Sequence, residues 1–239
     1  MTDPSEQECP EGSFNSDLYT PAMTKILAID TSHAICSVAL NISEKITSRV
    51  SAAPRQHARQ LLPMIEALLA EQGLRARDLD AIALVIGPGS FTGLRIGAGV
   101  AQGLSFATGV PVLCISSLAV MAMQAHLEQH CDLVSVCLLA REDEVYAASY
   151  QIVGEDPILI GNEQVCEPSL AIFTPDGFAA GDGWTLLTAA RGSHATMHEC
   201  RSDAKTLSMI AVQHCRKGLG VSAPMVLPVY LKEQMDYQT

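Results

Sequence analysis

A two-lobed α/β fold with a reduced second lobe is what this sequence of 239 residues predicts. Three observations carry that reading. Strand-length apolar runs alternate with helix-length segments in the order β-β-β-α-β-α-β-α as far as residue 130. A second series of strand-like runs begins near residue 132 and resembles a partial copy of the opening. The composition, 48% hydrophobic and 17% charged, supplies a sizeable core, yet no apolar run reaches the length of a membrane span.

The elements follow in order. Residues 1–22 hold Asp3, Glu6, Glu8, Glu11 and Asp17 with no base, and the segment is aperiodic. It is expected to be a disordered acidic extension without the apolar core of a signal peptide. Strands are predicted over 26–30, 35–41 and 45–51. A helix is predicted from about 57 to 72, with Leu61, Leu62, Ile65, Leu68 and Leu69 on one face and Gly73 as its stop. A strand over 81–86, a glycine-rich helix to about 108, a strand over 111–115 and a helix over 117–130 complete a first lobe, 23–131. This order resembles the ribonuclease H-like unit, an antiparallel trio extended by parallel strands with crossover helices. The second lobe, 132–239, reads as strands over 133–140 and 145–153 around a polar Arg141-Glu142-Asp143-Glu144 turn. A strand over 158–165, a short one at 178–180, a Gly181-Asp182-Gly183 turn and a helix over 204–217 follow. Two such lobes describe the actin/sugar-kinase/Hsp70 architecture, in which nucleotide lies between lobes.

The most informative stretch is 82–103, where a buried strand turns at Gly87-Pro88-Gly89-Ser90 into a helix carrying Gly93, Gly97, Gly99 and Gly103. Each interior helical glycine costs about 1 kcal/mol relative to alanine. Such a helix recovers that cost where something approaches its backbone. Gly93, Gly97 and Ala101 lie four apart, as do Gly99 and Gly103, so both sets form smooth stripes. Phosphate is the weaker candidate. A Walker A motif ends in Gly-Lys-Ser/Thr, whereas Gly93 is followed by Leu94-Arg95, and the third glycine of a dinucleotide fingerprint is replaced by Thr92. Close packing on the chain's own sheet and a helix–helix interface with another subunit remain as alternatives. Ser90 is placed to cap the helix.

Charge and cysteine usage narrow the function classes. A formal charge of −11 argues against strong binding of RNA or DNA by this chain alone, although a basic partner could bring it to one. The eight cysteines include no C-x-x-C pair, which fits buried thiols in a reducing cytoplasm.

Four motifs together resemble the bacterial TsaB (YeaZ) family: I-L-A-I-D-T-S at 26–32, H-A-R-Q-L-L-P at 57–63, G-P-G-S-F-T-G-L-R-I-G at 87–97 and P-V-Y-L-K at 228–232. The resemblance covers residues 23–239, and the central motif is the most specific. It implies an actin-like two-lobed fold and a non-catalytic role in making threonylcarbamoyladenosine at the tRNA adenosine beside the anticodon. It implies pairing with the related catalytic TsaD-type subunit, joined by a TsaE-type ATPase, and homodimers when alone. ATP or ADP and metal are then expected on those partners or at a composite interface, with tRNA contacted only through the complex. The interface is expected on the glycine helix, through Gly93, Leu94, Arg95, Gly97, Val100, Ala101 and Leu104, so that Gly97→Leu should break pairing and spare the fold. Catalytic relatives carry H-x-x-x-H where this chain has Ser117 and Met121, which cannot replace two imidazoles on a transition metal. No catalytic or metal residues of its own are therefore expected.

Two departures stand out. Leu139-Ala140-Arg141 replaces the Asp-Ala-Arg frequent in the family, which weakens a magnesium–phosphate role for the second lobe. His57-Ala58-Arg59 replaces His-Ser-Glu and changes charge on an exposed turn. Asp30, Thr31 and Ser32 at a strand end, with Gly181, Asp182 and Gly183, are the candidate nucleotide or phosphate contacts. The competing readings are a satisfied strand-end turn and a plain tight turn. An actin-like ATPase or small-molecule kinase is the alternative function. The histidine pairs His126/His130 and His194/His198 have helical metal-ligand spacing but lack the Glu of H-E-x-x-H, and no G-x-S-x-G elbow is present to support a hydrolase.

Overall fold

The computed structural model describes residues 24–51, 53, 56–140, 143–191 and 200–231. The acidic segment 1–22, His194, His198 and Arg141 lie outside the described residues.

The first sheet has the order β3-β2-β1-β4-β5. Strands β1 (Lys25–Asp30), β2 (Ser37–Ile42) and β3 (Lys45–Val50) form an antiparallel meander. Strands β4 (Ala81–Gly87) and β5 (Val112–Ser116) then add in parallel. Their crossovers are α1 (His57–Glu71) and α2 (Phe91–Thr108), and α3 (Ser117–Gln129) follows β5 directly. The second sheet, β8-β7-β6-β9, repeats this plan in reduced form. Strands β6 (Leu133–Leu139), β7 (Val145–Val153) and β8 (Asp156–Cys166) are antiparallel, and β9 (Phe178–Ala180) lies parallel to β6. Helices α4 (Trp184–Arg191) and α5 (Ala204–Arg216) complete it.

Period-two alternation sorts the first sheet's residues into two cores. Leu27, Ile29, Val38, Leu40, Ile82 and Leu84 face α1 and α2. Ile26, Ala28, Ala39, Ala81 and Ala83 face α3 and α5, and the opposite side of that layer is closed by Val134, Val136, Ala148 and Tyr150 of the second sheet. Helices α3 and α5 are thus sandwiched between the sheets. Helix α5 follows the expected division at residue 131 in sequence, yet it packs on β1 and β2. The Ala204 N–H donates to Ser37 Oγ at 2.9 Å, and Asn41 Nδ2 donates to the Ser208 carbonyl at 3.3 Å. Helix α4, not anticipated, covers the outer face of the second sheet. Trp184 there shares its indole N–H between the Ser135 and Ala180 carbonyls at 3.2 and 3.0 Å and stacks on Phe173.

Candidate functional site

The segments carrying the four motifs converge on the carboxyl ends of the neighbouring strands β1 and β4. Asp30 is buried, at 2% exposure. Its Oδ1 accepts the Ser32 N–H at 2.9 Å and the Ser32 hydroxyl at 2.6 Å, and its Oδ2 accepts the Ser202 hydroxyl at 2.6 Å. The loop after β4 crosses this strand end so closely that Ser90 N–H donates to the Ser32 carbonyl at 2.7 Å. A Cβ on Gly89 would meet that same oxygen at 2.5 Å. The buried His57, at the start of α1, places Nε2 2.7 Å from the His33 carbonyl, which makes Nε2 the donor. From the C-terminal motif, Val229 N–H donates to the Ile86 carbonyl at 2.9 Å. Gly87, Gly89 and Gly93 of the central motif are there because backbone lies on backbone.

Helix α2 shows two faces. Ser90 caps it, accepting the Gly93 N–H on its hydroxyl at 3.3 Å. Gly93, Leu94, Gly97, Ala98 and Ala101 are buried against the chain's own sheet. A Cβ at Gly93 would lie 2.0 Å from the Thr31 carbonyl, and one at Gly97 would lie 2.3 Å from Thr31 Oγ1. The expected partner face through Gly93, Gly97 and Ala101 is therefore corrected: Thr31, just past β1, and Leu84 of β4 lie against the two glycines, and Leu94 and Ala101 are buried in the chain's own core. Ile96, Val100 and Leu104 are half-buried along the flanks. The outward face runs through Thr92, Arg95, Gly99, Gly103 and Phe106. Nothing lies within 4 Å of a Cβ built on Gly99 or Gly103, and Phe106 is 86% exposed. At the amino end Arg95 lays its guanidinium 3.7 Å over the Phe91 ring and donates from Nε to Tyr230 Oη at 3.1 Å.

A cleft of about 610 Å³ opens between the lobes, lined by Ser32, His33, Ser90, Phe91, Leu139, Tyr146, Asp182 and Tyr230 among others. The sequence reading expects any nucleotide between the lobes, so the fit is decided by donors. A magnesium-bound phosphate takes carboxylate oxygen. Both Asp30 oxygens are held by hydroxyls of the chain itself, Thr31 is wholly buried, and the matching end of β6 offers Leu139. Gly181 and Gly183 are packing glycines, since a Cβ at either would come within 3.0 Å of Cys137. Asp182 is exposed, and its Oδ1 accepts the Leu139 N–H at 2.9 Å. Of the six candidate contacts, Ser32 and Asp182 line the cleft, and the described residues do not fit a magnesium nucleotide.

The remaining candidates are structural. Ser117 donates its hydroxyl to the Pro88 carbonyl at 2.5 Å, and Met121 is buried in the core. His126 Nδ1 lies 3.0 Å from the Cys131 carbonyl and 3.3 Å from Asp132, while His130 takes a left-handed conformation that ends α3. Among the described residues no group of three or more His, Cys, Asp or Glu could hold a metal ion. Cys200 is buried, and burial pushes its thiol up to about 12. No helix among the described residues is long and apolar enough to cross a membrane.

The family described as TsaD, tRNA N6-adenosine threonylcarbamoyltransferase, matches residues 42–181. The tRNA threonylcarbamoyladenosine biosynthesis protein TsaB of Haemophilus influenzae is 35% identical over 228 residues, 89% of this chain and 95% of its own. Its Escherichia coli namesake is 30% identical over 224 residues, 90% and 97% of the two chains. This chain belongs to the TsaB family. The solved structure of YeaZ from Pseudomonas aeruginosa superposes with a TM-score of 0.81 at 39% identity, over 87% of this chain and all of that one. In this TsaB-family chain the residues that sequence reading missed are Phe91, Phe106, Ser202 and Tyr230. Arg95 carried the signal for the outward face, because Gly99, Gly103 and Phe106 follow it at helical spacing. No signal pointed to Ser202, which reaches Asp30 from 172 positions away.

Proposed function

We propose that this chain is the accessory subunit of threonylcarbamoyladenosine formation in tRNA, acting by pairing with a TsaD-type catalytic subunit. The observation that carries the reading is the outward face of α2, on which Arg95, Gly99, Gly103 and Phe106 stand open. Membership of the TsaB family supplies the pathway, and the match of residues 42–181 to the TsaD family supplies the partner's kinship. A partner built on the same lobe offers a similar helix, and two like helices pair most simply about an approximate two-fold axis. The same face serves a homodimer when the chain is alone. A TsaE-type ATPase joins the pair, and nucleotide and metal belong to the partners or to a joint interface. The chain works in the cytoplasm and meets tRNA through the complex.

The test is sedimentation of the chain with the TsaD-type subunit of the same organism, using wild type and Phe106→Asp. A one-to-one complex that Phe106→Asp weakens at least tenfold is expected. No complex with the wild type, together with magnesium-dependent ATP hydrolysis by the chain alone, would replace this reading with an actin-like ATPase.

A further inference from the structure

We infer that the docking surface continues off α2 onto residues 223–230, where Met225, Leu227 and Tyr230 form a second wall for the partner's helix. The inference rests on the partner reading above and extends its footprint.

The segment runs antiparallel to α2 and is fixed to it at both ends. Gln102 Nε2 donates to the Val226 carbonyl at 2.7 Å near one end. At the other, the Tyr230 ring sits 5.4 Å from the Phe91 ring and its hydroxyl accepts from Arg95. A short 3-10 turn, Ala223–Met225, leads into the segment, after which Val226 is buried and Leu227 is turned out. Among the described residues the result is an unpartnered apolar ridge: Met225 is 46% exposed and Leu227 63%. Apolar side chains held outward on an anchored backbone cost little further ordering when a partner covers them. The Arg95–Phe91–Tyr230 cluster adds the residue types that concentrate binding energy in interfaces.

The occupant follows from continuity and kinship. The helix face and the ridge meet where Arg95 bonds Tyr230 and where residues 223–225 pack on α2, so a helix seated on α2 lies against the ridge as well. The TsaD family match spans α2 but stops at residue 181, short of the ridge. Helix α2 lies within the part of the chain that matches the TsaD family, and the ridge lies beyond it. A helix of the TsaD-type subunit is the partner that fits.

The test compares Leu227→Glu with Phe106→Asp on α2 and Leu170→Glu, a 64% exposed site in the second lobe, by titration against the TsaD-type subunit. Leu227→Glu is expected to weaken pairing about 30-fold, the scale of an interface anchor, and Leu170→Glu to pair as wild type. Thermal melts establish that each variant is folded, and Met225→Glu repeats the test if Leu227→Glu is not. If Leu227→Glu and Met225→Glu pair within threefold of wild type while Phe106→Asp does not pair, the ridge lies outside the footprint and the α2 reading stands. If Phe106→Asp also pairs normally, both fall.

Discussion

Gly97 and Gly99 stand two positions apart on one helix and carry opposite roles. Gly97 is buried over Thr31, and a side chain there would meet Thr31 Oγ1 at 2.3 Å and Leu84 Cδ1 at 3.2 Å. Thr31 Oγ1 has no hydrogen-bond partner among the described residues, so the contact is one of volume alone. Gly97→Leu is therefore expected to destabilise the fold by about 3 kcal/mol or more, through overpacking. Gly99 meets open space, and Gly99→Ala should stabilise the isolated chain by about 0.5–1 kcal/mol through helix propensity. Urea denaturation of the two variants checks the pair, and equal midpoints would mean that the faces are wrongly assigned. This replaces the expectation that Gly97→Leu spares the fold. The two stripes look alike in sequence because α2 is apolar on almost every side. Arg95 is the residue whose phase separates them. Asp30 teaches a related lesson: the strand-end acid was legible, but its use was not, because the hydroxyl that engages its second oxygen comes from Ser202.

At the scale of elements, strands β1, β4 and β5 and helices α1 and α3 were legible within a residue or two, since each is an unbroken apolar run or a one-faced stripe bounded by a turn residue. Helix α4 was not. It spans only Trp184–Arg191, opens on a glycine turn, and is fixed by tertiary contacts of its tryptophan. The role of α5 was also hidden, because a one-faced helix does not say which sheet it covers. Its start is nevertheless written locally. Asp203 takes an extended conformation, and its Oδ1 accepts the Thr206 N–H at 2.7 Å. Asp203→Ala should cost about 1 kcal/mol. Because α5 packs on both α3 and β1, that cost is expected in one cooperative transition rather than in local fraying. A calorimetric scan showing a second, earlier peak would contradict this.

At the scale of the molecule, the lobes are joined through a packed middle layer, through the Asp30–Ser202 hydrogen bond and through the Glu163 carboxyl. Tyr150 of β7 donates its hydroxyl to Glu163 Oε1 of β8 at 2.5 Å. Ser116, the cap of α3 in the first lobe, also hydrogen-bonds to Glu163. Burial pushes the Glu163 carboxyl above its ordinary value, and the hydrogen bonds from Ser116 and Tyr150 offset only part of that shift. The native protein thus holds this proton more tightly than the unfolded chain does. Between the unfolded carboxylate value and the raised native one, the native state binds more protons, so this group's contribution to stability falls as pH rises. His214 on α5 behaves in the opposite way. Burial lowers its pKa, Asp156 opposes that shift and Lys217 reinforces it, so the unfolded chain binds more protons and acid below the ordinary imidazole value destabilises the fold. The two contributions separate by substitution. Glu163→Gln keeps an acceptor for Tyr150 and Ser116 but cannot titrate, so its stability relative to wild type should grow as pH is raised from the ordinary carboxylate value and then level off. His214→Gln should instead gain on wild type as pH is lowered through the imidazole range. Urea midpoints across pH read both differences, and a Glu163→Gln curve that tracks wild type at every pH would remove Glu163 as a titrating link between the lobes.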